Sequence, residues 1–272
     1  MKIDIFKEYF NKFVTILDKN ISVEAALYAL NGDGKRIRFL LSVNTSKDIN
    51  VCDENAYRLA VAVELIHNYS LIHDDLPSMD NSDFRRNKPS CHKVYGDAQA
   101  ILAGDGLLNL AAEVVLGAKI EDNAFSYLNA AKYIFECAGF NGMVGGQSKD
   151  VTENAFISKE EYYSLVENKT AKLIRAAVVS QALYANKNDD TVAKLKNYAY
   201  NLGMAYQFAD DITDAEEDVK KASILTYYKK PQAIKIIDTL CSAALKELNS
   251  AKIQSQYLTE IIDTVLKRAQ NG

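Results

Sequence analysis

Apolar residues recur at every third or fourth position along almost the whole chain, which is the period of a helix with one buried face. Leu59, Val63 and Ile66 show this spacing in one segment, and no segment has a convincing strand pattern. The sequence therefore predicts an all-α protein, a bundle of roughly ten helices over residues 3–18, 22–30, 36–46, 54–75, 94–117, 123–139, 159–185, 190–214, 231–248 and 251–269.

The predicted helices are separated by groups of glycine and proline, as in residues 31–34, 86–90 and 139–146. The 272 residues contain only 3 prolines and 12 glycines, and no stretch has the composition of a flexible linker. We therefore expect a single domain over residues 1–272.

Composition narrows the class of protein. Hydrophobic residues make up 48% of the chain, yet no apolar run reaches the roughly 18 residues that a membrane span needs. The first 13 residues lack the apolar core and cleavage site of a signal peptide, so we expect a cytoplasmic protein without a membrane span.

A net charge of -4 argues against a nucleic-acid surface. The cysteines are far apart and are expected to be reduced thiols: Cys52, Cys91, Cys137 and Cys241.

A first acidic motif contains Asp74, Asp75 and Asp80, with Asp83 close behind. Acidic clusters usually lie on a solvated face. Here the preceding residues 59–72 are almost wholly apolar, so the carboxylates emerge from a buried helix. Carboxylates in such a place have to be paired with cations or bound to metal, because their desolvation is otherwise uncompensated.

A second acidic motif contains Gln207, Asp210, Asp211 and Asp214, which share one face of a helix with 3.6 residues per turn. Like charges at this spacing repel each other, so the stripe costs stability unless cations lie on it. Oxygen ligands suit Mg²⁺, which binds through a few carboxylates and substrate phosphate. Two such clusters facing each other would hold Mg²⁺ between themselves and a diphosphate.

Basic residues form separate groups. Lys35, Arg36 and Arg38 lie at a predicted helix start, where free backbone N–H groups also favour anions. Arg85 and Arg86 follow the first acidic motif, and a guanidinium suits bidentate contact with phosphate. Each of these could be an ordinary surface charge. Together with two acidic clusters they favour a pocket for two diphosphates.

Residues 73–92, HDDLPSMDNSDFRRNKPSCH, resemble the first Asp-rich motif of trans-prenyl diphosphate synthases of the bacterial farnesyl diphosphate synthase type. Further blocks are similar to that family in the same order: GKRIR at 34–38, AILAGD at 100–105, GMVGGQ at 142–147, NKTAKLIRAA at 168–177 and YQFADDITD at 206–214. The similarity extends to about residue 214 and is poor beyond it.

The resemblance implies the isoprenoid synthase fold around a central cavity, a homodimer, and the substrates isopentenyl diphosphate and an allylic diphosphate. It also implies three Mg²⁺ ions, with Asp74, Asp80 and Asp210 as direct ligands and Asp75, Asp211 and Asp214 in support. By the same resemblance the allylic substrate contacts Arg85, Lys169, Thr170 and Gln207, whereas isopentenyl diphosphate contacts Lys35, Arg38, His67 and Arg86. The loop after Asp214 is shorter than in the family, and Lys221 stands in for one of its lysines.

The implied reaction is ionisation, condensation and elimination, with farnesyl diphosphate as product. Tyr69 lies five residues before the first motif, and the resemblance associates an aromatic residue there with fifteen-carbon products. Helix geometry permits its ring to close the pocket but does not establish it. Alternatives are a geranylgeranyl diphosphate synthase, a His-Asp phosphohydrolase using His67 and His73, a terpene cyclase, and a non-catalytic prenyltransferase subunit. An EF-hand is excluded, because Ala215 occupies the position of its glycine.

Overall fold

The computed structural model describes residues 2–14, 18–32, 34–120, 122–152, 157–214 and 222–272. These residues form fourteen α-helices and one π-helical turn, so the predicted all-α class is confirmed. The helices are α1 Lys2–Val14, α2 Ile21–Leu30, α3 Ile37–Asp48, α4 Glu54–Asp74, α5 Cys91–Tyr95, α6 Asp97–Leu116, α7 Ala124–Ala138, α8 Met143–Thr152, α9 Lys159–Val166, α10 Lys172–Tyr184, α11 Asp189–Thr213, α12 Ile224–Tyr227, α13 Lys230–Ser250 and α14 Gln256–Asn271. The π-helical turn, Glu167–Ala171, lies between α9 and α10.

One short hairpin departs from the strandless prediction. Strand β1, Phe84–Arg85, pairs antiparallel with β2, Lys88–Pro89. The turn residues Arg86 and Asn87 have φ values of 55° and 61°, as a two-residue hairpin turn of this hand requires. The expectation that the chain has no strand is wrong here, because the turn and not a periodic apolar pattern produces the pairing.

The glycine-rich residues 139–146 are predicted to separate two helices, but α8 begins within them, at Met143. A side chain at Gly145 would lie 1.9 Å from the carbonyl oxygen of Phe140, and one at Gly146 would lie 2.4 Å from the backbone nitrogen of Lys169. These glycines therefore serve close packing of a helix and do not end one.

The chain divides into two compact units. The first comprises Met1–Leu40 and Asp53–Glu121, and the second comprises Leu41–Cys52 and Asp122–Gly272. In the first unit α4 packs against α6, and α2 packs against α5 and α6. Asp53 begins α4 by accepting a hydrogen bond from the backbone nitrogen of Ala56. The first unit is thus built around α4, whose last residue is Asp74.

Helix α6 is the one described helix that is long and apolar enough to cross a membrane by length and composition. A core helix of a folded protein passes the same test, and α6 packs against α4 and α2. Gly104 allows that packing, since a side chain there would lie 2.1 Å from Nε2 of His73. The absence of a membrane span stays a prediction.

In the second unit α11 packs against α10, α13, α14 and the π-helical turn. Helix α10 pairs with α7 and is buried along most of its length. The hydroxyl of Tyr198 in α11 donates to the carbonyl oxygen of Leu258 in α14 at 2.8 Å, which ties the last helix to the one that carries the second acidic motif.

Candidate active site

The first acidic motif separates into one buried aspartate and two that are partly exposed. Asp75 is only 2% exposed, and its carboxylate accepts two hydrogen bonds from Nε of Arg85, at 3.0 and 3.2 Å, and another from Nη2. The backbone nitrogen of Asp80 donates to the carbonyl oxygen of Asp74 at 2.9 Å, so the chain folds back and brings these two residues together. Asp75 therefore positions Arg85, whereas Asp74 and Asp80 are the two partly exposed aspartates.

The basic residues of the first unit have different environments. Arg36 is buried with a φ of 51°, and its guanidinium pairs with the buried carboxylate of Glu64 at 3.1 Å. It therefore fastens the start of α3 to α4. Nη1 of Arg38 lies 3.2 Å from Nε2 of His67, whereas Lys35 is exposed.

Arg86 lies close to the other cations of the first unit. A side chain at Gly34 would lie 2.6 Å from Nη1 of Arg86, so the guanidinium occupies the space over this glycine. Burial lowers the pKa of Arg86, and Arg36, Arg85 and Arg38 lower it further although Glu64 opposes them. Such crowding produces a positive potential that favours an anion.

His67 is held in its neutral form. Burial lowers its pKa well below 6.5, and the cations around it, Arg38, Arg86, Arg36 and Arg85, lower it further. A neutral ring can accept a hydrogen bond from Arg38 through Nε2 and keep its other nitrogen as a donor. His67 thus adds a hydrogen-bond donor beside Arg38 and Arg86 without adding charge.

We expect the free energy of unfolding to fall as the pH is lowered below 6.5. The folded-state pKa of His67 is depressed, so the unfolded chain takes up a proton first, and stability is lost by at most about 1.4 kcal/mol per pH unit. Denaturant titrations of wild type and His67→Gln between pH 6.5 and 5.5 measure this. The variant should have the shallower dependence, and parallel curves for the two proteins would contradict the assignment.

In the second unit, a chain of hydrogen bonds joins the π-helical turn to the second acidic motif. The hydroxyl of Thr170 donates to Oε1 of Gln207 at 2.7 Å, and Nε2 of Gln207 donates to Oδ1 of Asp211 at 3.0 Å. The other oxygen of Asp211 accepts from the hydroxyl of Tyr162 and from the backbone nitrogen of Ile224, the latter at 2.8 Å. Both oxygens of Asp211 are thus engaged within the protein.

Asp210 and Asp214 face a cation from the last helix. Nη1 of Arg268 lies 2.5 Å from Oδ1 of Asp210, and its Nη2 lies 3.8 Å from Oδ1 of Asp214. The acidic stripe was expected to require cations, and α14 supplies one. Arg268 was missed because it lies 54 residues after Asp214, in the part of the chain where no motif was recognised.

Lys169 also has a partner that the sequence did not reveal. Its Nζ lies 2.5 Å from Oδ2 of Asp150 in α8. Gln147, one turn earlier on α8, has a buried amide whose nitrogen and oxygen have no hydrogen-bond partner among the described residues. Gln147 ends the recognised stretch GMVGGQ, whereas Asp150 follows three residues later, outside that stretch.

The predicted residues thus divide between the two units. The first contains Asp74, Asp75, Asp80, Arg85, Arg86, Lys35, Arg38, His67 and Tyr69, and the second contains Lys169, Thr170, Gln207, Asp210, Asp211 and Asp214. That the two acidic motifs face each other stays a prediction. Lys221 lies outside the described residues.

The donor set of each motif fits Mg²⁺. Among the described residues no three His, Cys, Asp or Glu side chains are grouped as a metal site. Besides Asp75 and Asp211, each motif contains two further carboxylates: Asp74 and Asp80, which are partly exposed, and Asp210 and Asp214, which pair with Arg268. Mg²⁺ typically binds through one or two carboxylates and completes its octahedron with water and substrate phosphate. Pairs of carboxylates are therefore a suitable donor set.

The model of the polyprenyl synthetase family matches residues 19–223, three quarters of the chain. This chain belongs to the polyprenyl synthetase family. The family membership anticipated from the motifs is thereby confirmed.

Three relatives show how this family member compares with known proteins. It is 38% identical over 200 residues to the farnesyl diphosphate synthase of Bacillus subtilis, covering 73% of this chain and 68% of that one. It is 37% identical over 203 residues to the chloroplastic geranylgeranyl pyrophosphate synthase of Capsicum annuum, covering 74% and 55%. The crystal structure of a Legionella pneumophila geranyltransferase superposes with a TM-score of 0.91 at 32% identity, covering 98% and 94%, so the predicted isoprenoid synthase fold is confirmed.

Proposed function

We propose that this protein is a Mg²⁺-dependent prenyltransferase that condenses isopentenyl diphosphate with dimethylallyl or geranyl diphosphate to give farnesyl diphosphate and diphosphate. The observation that carries the proposal is that both acidic motifs are present with all their carboxylates. Each motif is intact, each has its second aspartate hydrogen-bonded within the protein, and each contains two more carboxylates, of which Asp210 and Asp214 also pair with Arg268. A non-catalytic subunit would not need to retain both.

We assign Asp74, Asp80, Asp210 and Asp214 to Mg²⁺, three ions by analogy with the family. Bound Mg²⁺ would neutralise charge that develops on the diphosphate as the allylic C–O bond breaks. The family resemblance assigns both Arg85 and Lys169 to the allylic substrate, and Asp75 fixes the guanidinium of Arg85 before substrate arrives. Preorganised charges of this kind stabilise the transition state without reorganising.

The carbocation requires a dry pocket with oxygen dipoles near it. Oγ1 of Thr170 and Oε1 of Gln207 are such dipoles, and the bond from Gln207 to the anchored Asp211 fixes their orientation. The isopentenyl double bond then attacks the cation, and the departing diphosphate accepts the proton that is lost. No protein nucleophile takes part in this scheme.

We assign the cationic group of the first unit, Lys35, Arg38, His67 and Arg86, to isopentenyl diphosphate. Its positive potential and the neutral His67 donor support this assignment. A second anion site distinguishes a condensing enzyme from a terpene cyclase, which ionises one diphosphate only. The same site is not explained by a His-Asp phosphohydrolase.

Arg86→Ala and Lys35→Ala should raise the KM for isopentenyl diphosphate about 10- to 100-fold, which corresponds to about 1.5–3 kcal/mol for a hydrogen bond to a charged group. Lys169→Ala should instead affect the allylic substrate and its ionisation. Steady-state kinetics with each substrate varied in turn separate the two effects. Lys88→Ala, an exposed cation of the same hairpin as Arg86, is the matched control. Equal weakening of both substrates in all three variants would disprove the two-site assignment.

We also propose a homodimer. Large apolar side chains are exposed on α7 and the turn after it, where Phe125 is 78% and Phe140 is 89% exposed, and on α6, where Leu116 is 77% exposed. Exposed apolar groups of this size favour burial against a partner, and a second copy of the chain is the partner we propose. Light scattering should give the mass of two chains, and Phe125→Glu should shift it toward one chain.

Chromatography of radiolabelled products tests the proposed activity directly. Purified protein receives isopentenyl diphosphate and either dimethylallyl or geranyl diphosphate with Mg²⁺. A fifteen-carbon product supports the proposal, whereas a twenty-carbon product supports the geranylgeranyl alternative, which the relative from Capsicum annuum favours. Release of phosphate without condensation would indicate a phosphohydrolase, and no reaction would indicate a non-catalytic subunit. A cytoplasmic location and a single domain stay predictions.

A further inference from the structure

Asp150 has no role in the reaction proposed above, yet it makes a close contact with one of its cationic residues. The carboxylate of Asp150 lies 2.5 Å from Nζ of Lys169, and the two side chains are 12% and 25% exposed. An ion pair that is partly withdrawn from solvent is more strongly oriented than one on the surface. The contact therefore restricts where the ammonium can lie.

The local backbone is shaped so that this contact forms. Lys169 lies within the π-helical turn Glu167–Ala171, and single π-turns inside α-helices frequently occur at functional sites because they redirect side chains. Gly146 lets α8 approach this turn, since a side chain there would lie 2.4 Å from the nitrogen of Lys169. Asp150 follows Gly146 by four residues on the same face of α8.

We propose that Asp150 is a positioning residue, which holds the ammonium of Lys169 in the orientation that the allylic diphosphate requires. A lysine side chain has four rotatable bonds and loses rotamer entropy when it is fixed. Asp150 imposes that restriction before substrate binds. The ammonium has three donors, so one can remain on Asp150 while the others contact the diphosphate.

Two other roles for Asp150 predict different results from positioning, so the experiment can distinguish them. Removing a carboxylate near a diphosphate site reduces repulsion of the anion, so a purely electrostatic view predicts tighter binding in Asp150→Asn. A purely structural tie between α8 and the π-helical turn predicts lower thermal stability with normal kinetics. Only positioning predicts weaker use of the allylic substrate in a folded protein.

The experiment compares wild type, Asp150→Asn, Asp150→Glu, Lys169→Met and the double variant Asp150→Asn/Lys169→Met. We expect Asp150→Asn to lower kcat/KM for geranyl diphosphate about tenfold, because the variant has to order one flexible side chain, Lys169, when the substrate binds. The KM for isopentenyl diphosphate should not change. Asp150→Glu, which keeps the carboxylate, should retain more activity. In the Lys169→Met background the Asp150→Asn change should have no further effect, because Asp150 acts through Lys169.

Asp190→Asn is the matched control, because Asp190 forms a pair of the same length with Lys194, 2.5 Å, at the start of α11. It should behave as wild type. Calorimetry of inorganic diphosphate binding in Mg²⁺ gives a second measurement, and Asp150→Asn should bind this probe more weakly. Tighter or unchanged binding, or additive effects in the double variant, would overturn the inference.

The inference rests on the proposed function, and the two can fail separately. A wild-type protein that forms no prenyl product disproves the proposed function, while diphosphate binding by the variants still decides whether Asp150 orients Lys169. If the wild-type protein condenses its substrates and Asp150→Asn matches it in kinetics and in diphosphate binding, only the positioning role is disproved.

Discussion

Asp74→Ala and Asp210→Ala should each lower turnover by at least about 10³-fold, because each removes a carboxylate assigned to Mg²⁺ at the moment when charge separates on the diphosphate. Both side chains are only partly buried. The variants should therefore remain folded, and circular dichroism with thermal unfolding should resemble wild type. Single-turnover measurements with geranyl and isopentenyl diphosphate provide the rate.

Asp83→Ala is the control for this pair of substitutions. Asp83 follows the same acidic motif but pairs with Lys93 at 2.7 Å and is 59% exposed, so its loss should leave turnover unchanged. Chelation of divalent metal should abolish wild-type activity, and added Mg²⁺ should restore it. Near-normal turnover in Asp74→Ala or Asp210→Ala, or full activity in chelator, would be incompatible with the metal assignment.

Tyr69→Ala should lengthen the product from fifteen carbons to twenty or more. The side chain of Tyr69 is 7% exposed and lies edge-on to His73, with ring centroids 5.8 Å apart and an interplanar angle of 76°. Burial raises the pKa of Tyr69 to about 12, and the nearby Asp74 carboxylate contributes to this. The ring therefore lies near the end of α4 that carries Asp74, and we propose that it closes the pocket for a growing hydrocarbon tail.

Tyr69→Phe is the matched variant, because it keeps the ring and removes only the hydroxyl. It should still give farnesyl diphosphate, whereas truncation to alanine leaves space for another isoprene unit. Product chromatography after dephosphorylation measures the chain length. A wild-type product that already has twenty carbons would refute the assignment of Tyr69, and an unchanged product in Tyr69→Ala would place the end of the pocket elsewhere.

The helical architecture was predictable because each long helix buries one or more faces, and burial leaves a period of 3.6 residues in the sequence. Helices α4 and α11 were placed within one residue at both ends. The errors in the predicted secondary structure occur where backbone geometry, and not the spacing of apolar residues, determines the local structure. The hairpin depends on positive φ values at Arg86 and Asn87, and α8 begins among glycines that serve close packing.

The acidic motifs could be found from sequence because residues three or four apart share a helix face. The residue types of the site, the all-α class and the resemblance to the family could all be read from the sequence. Which partners each aspartate has depends instead on the tertiary structure. Asp75 and Asp211 are engaged by protein donors, and Asp150 and Arg268 join the site from α8 and α14. Contacts between residues 10 to 58 positions apart depend on how helices pack, and no local pattern in the sequence records that packing.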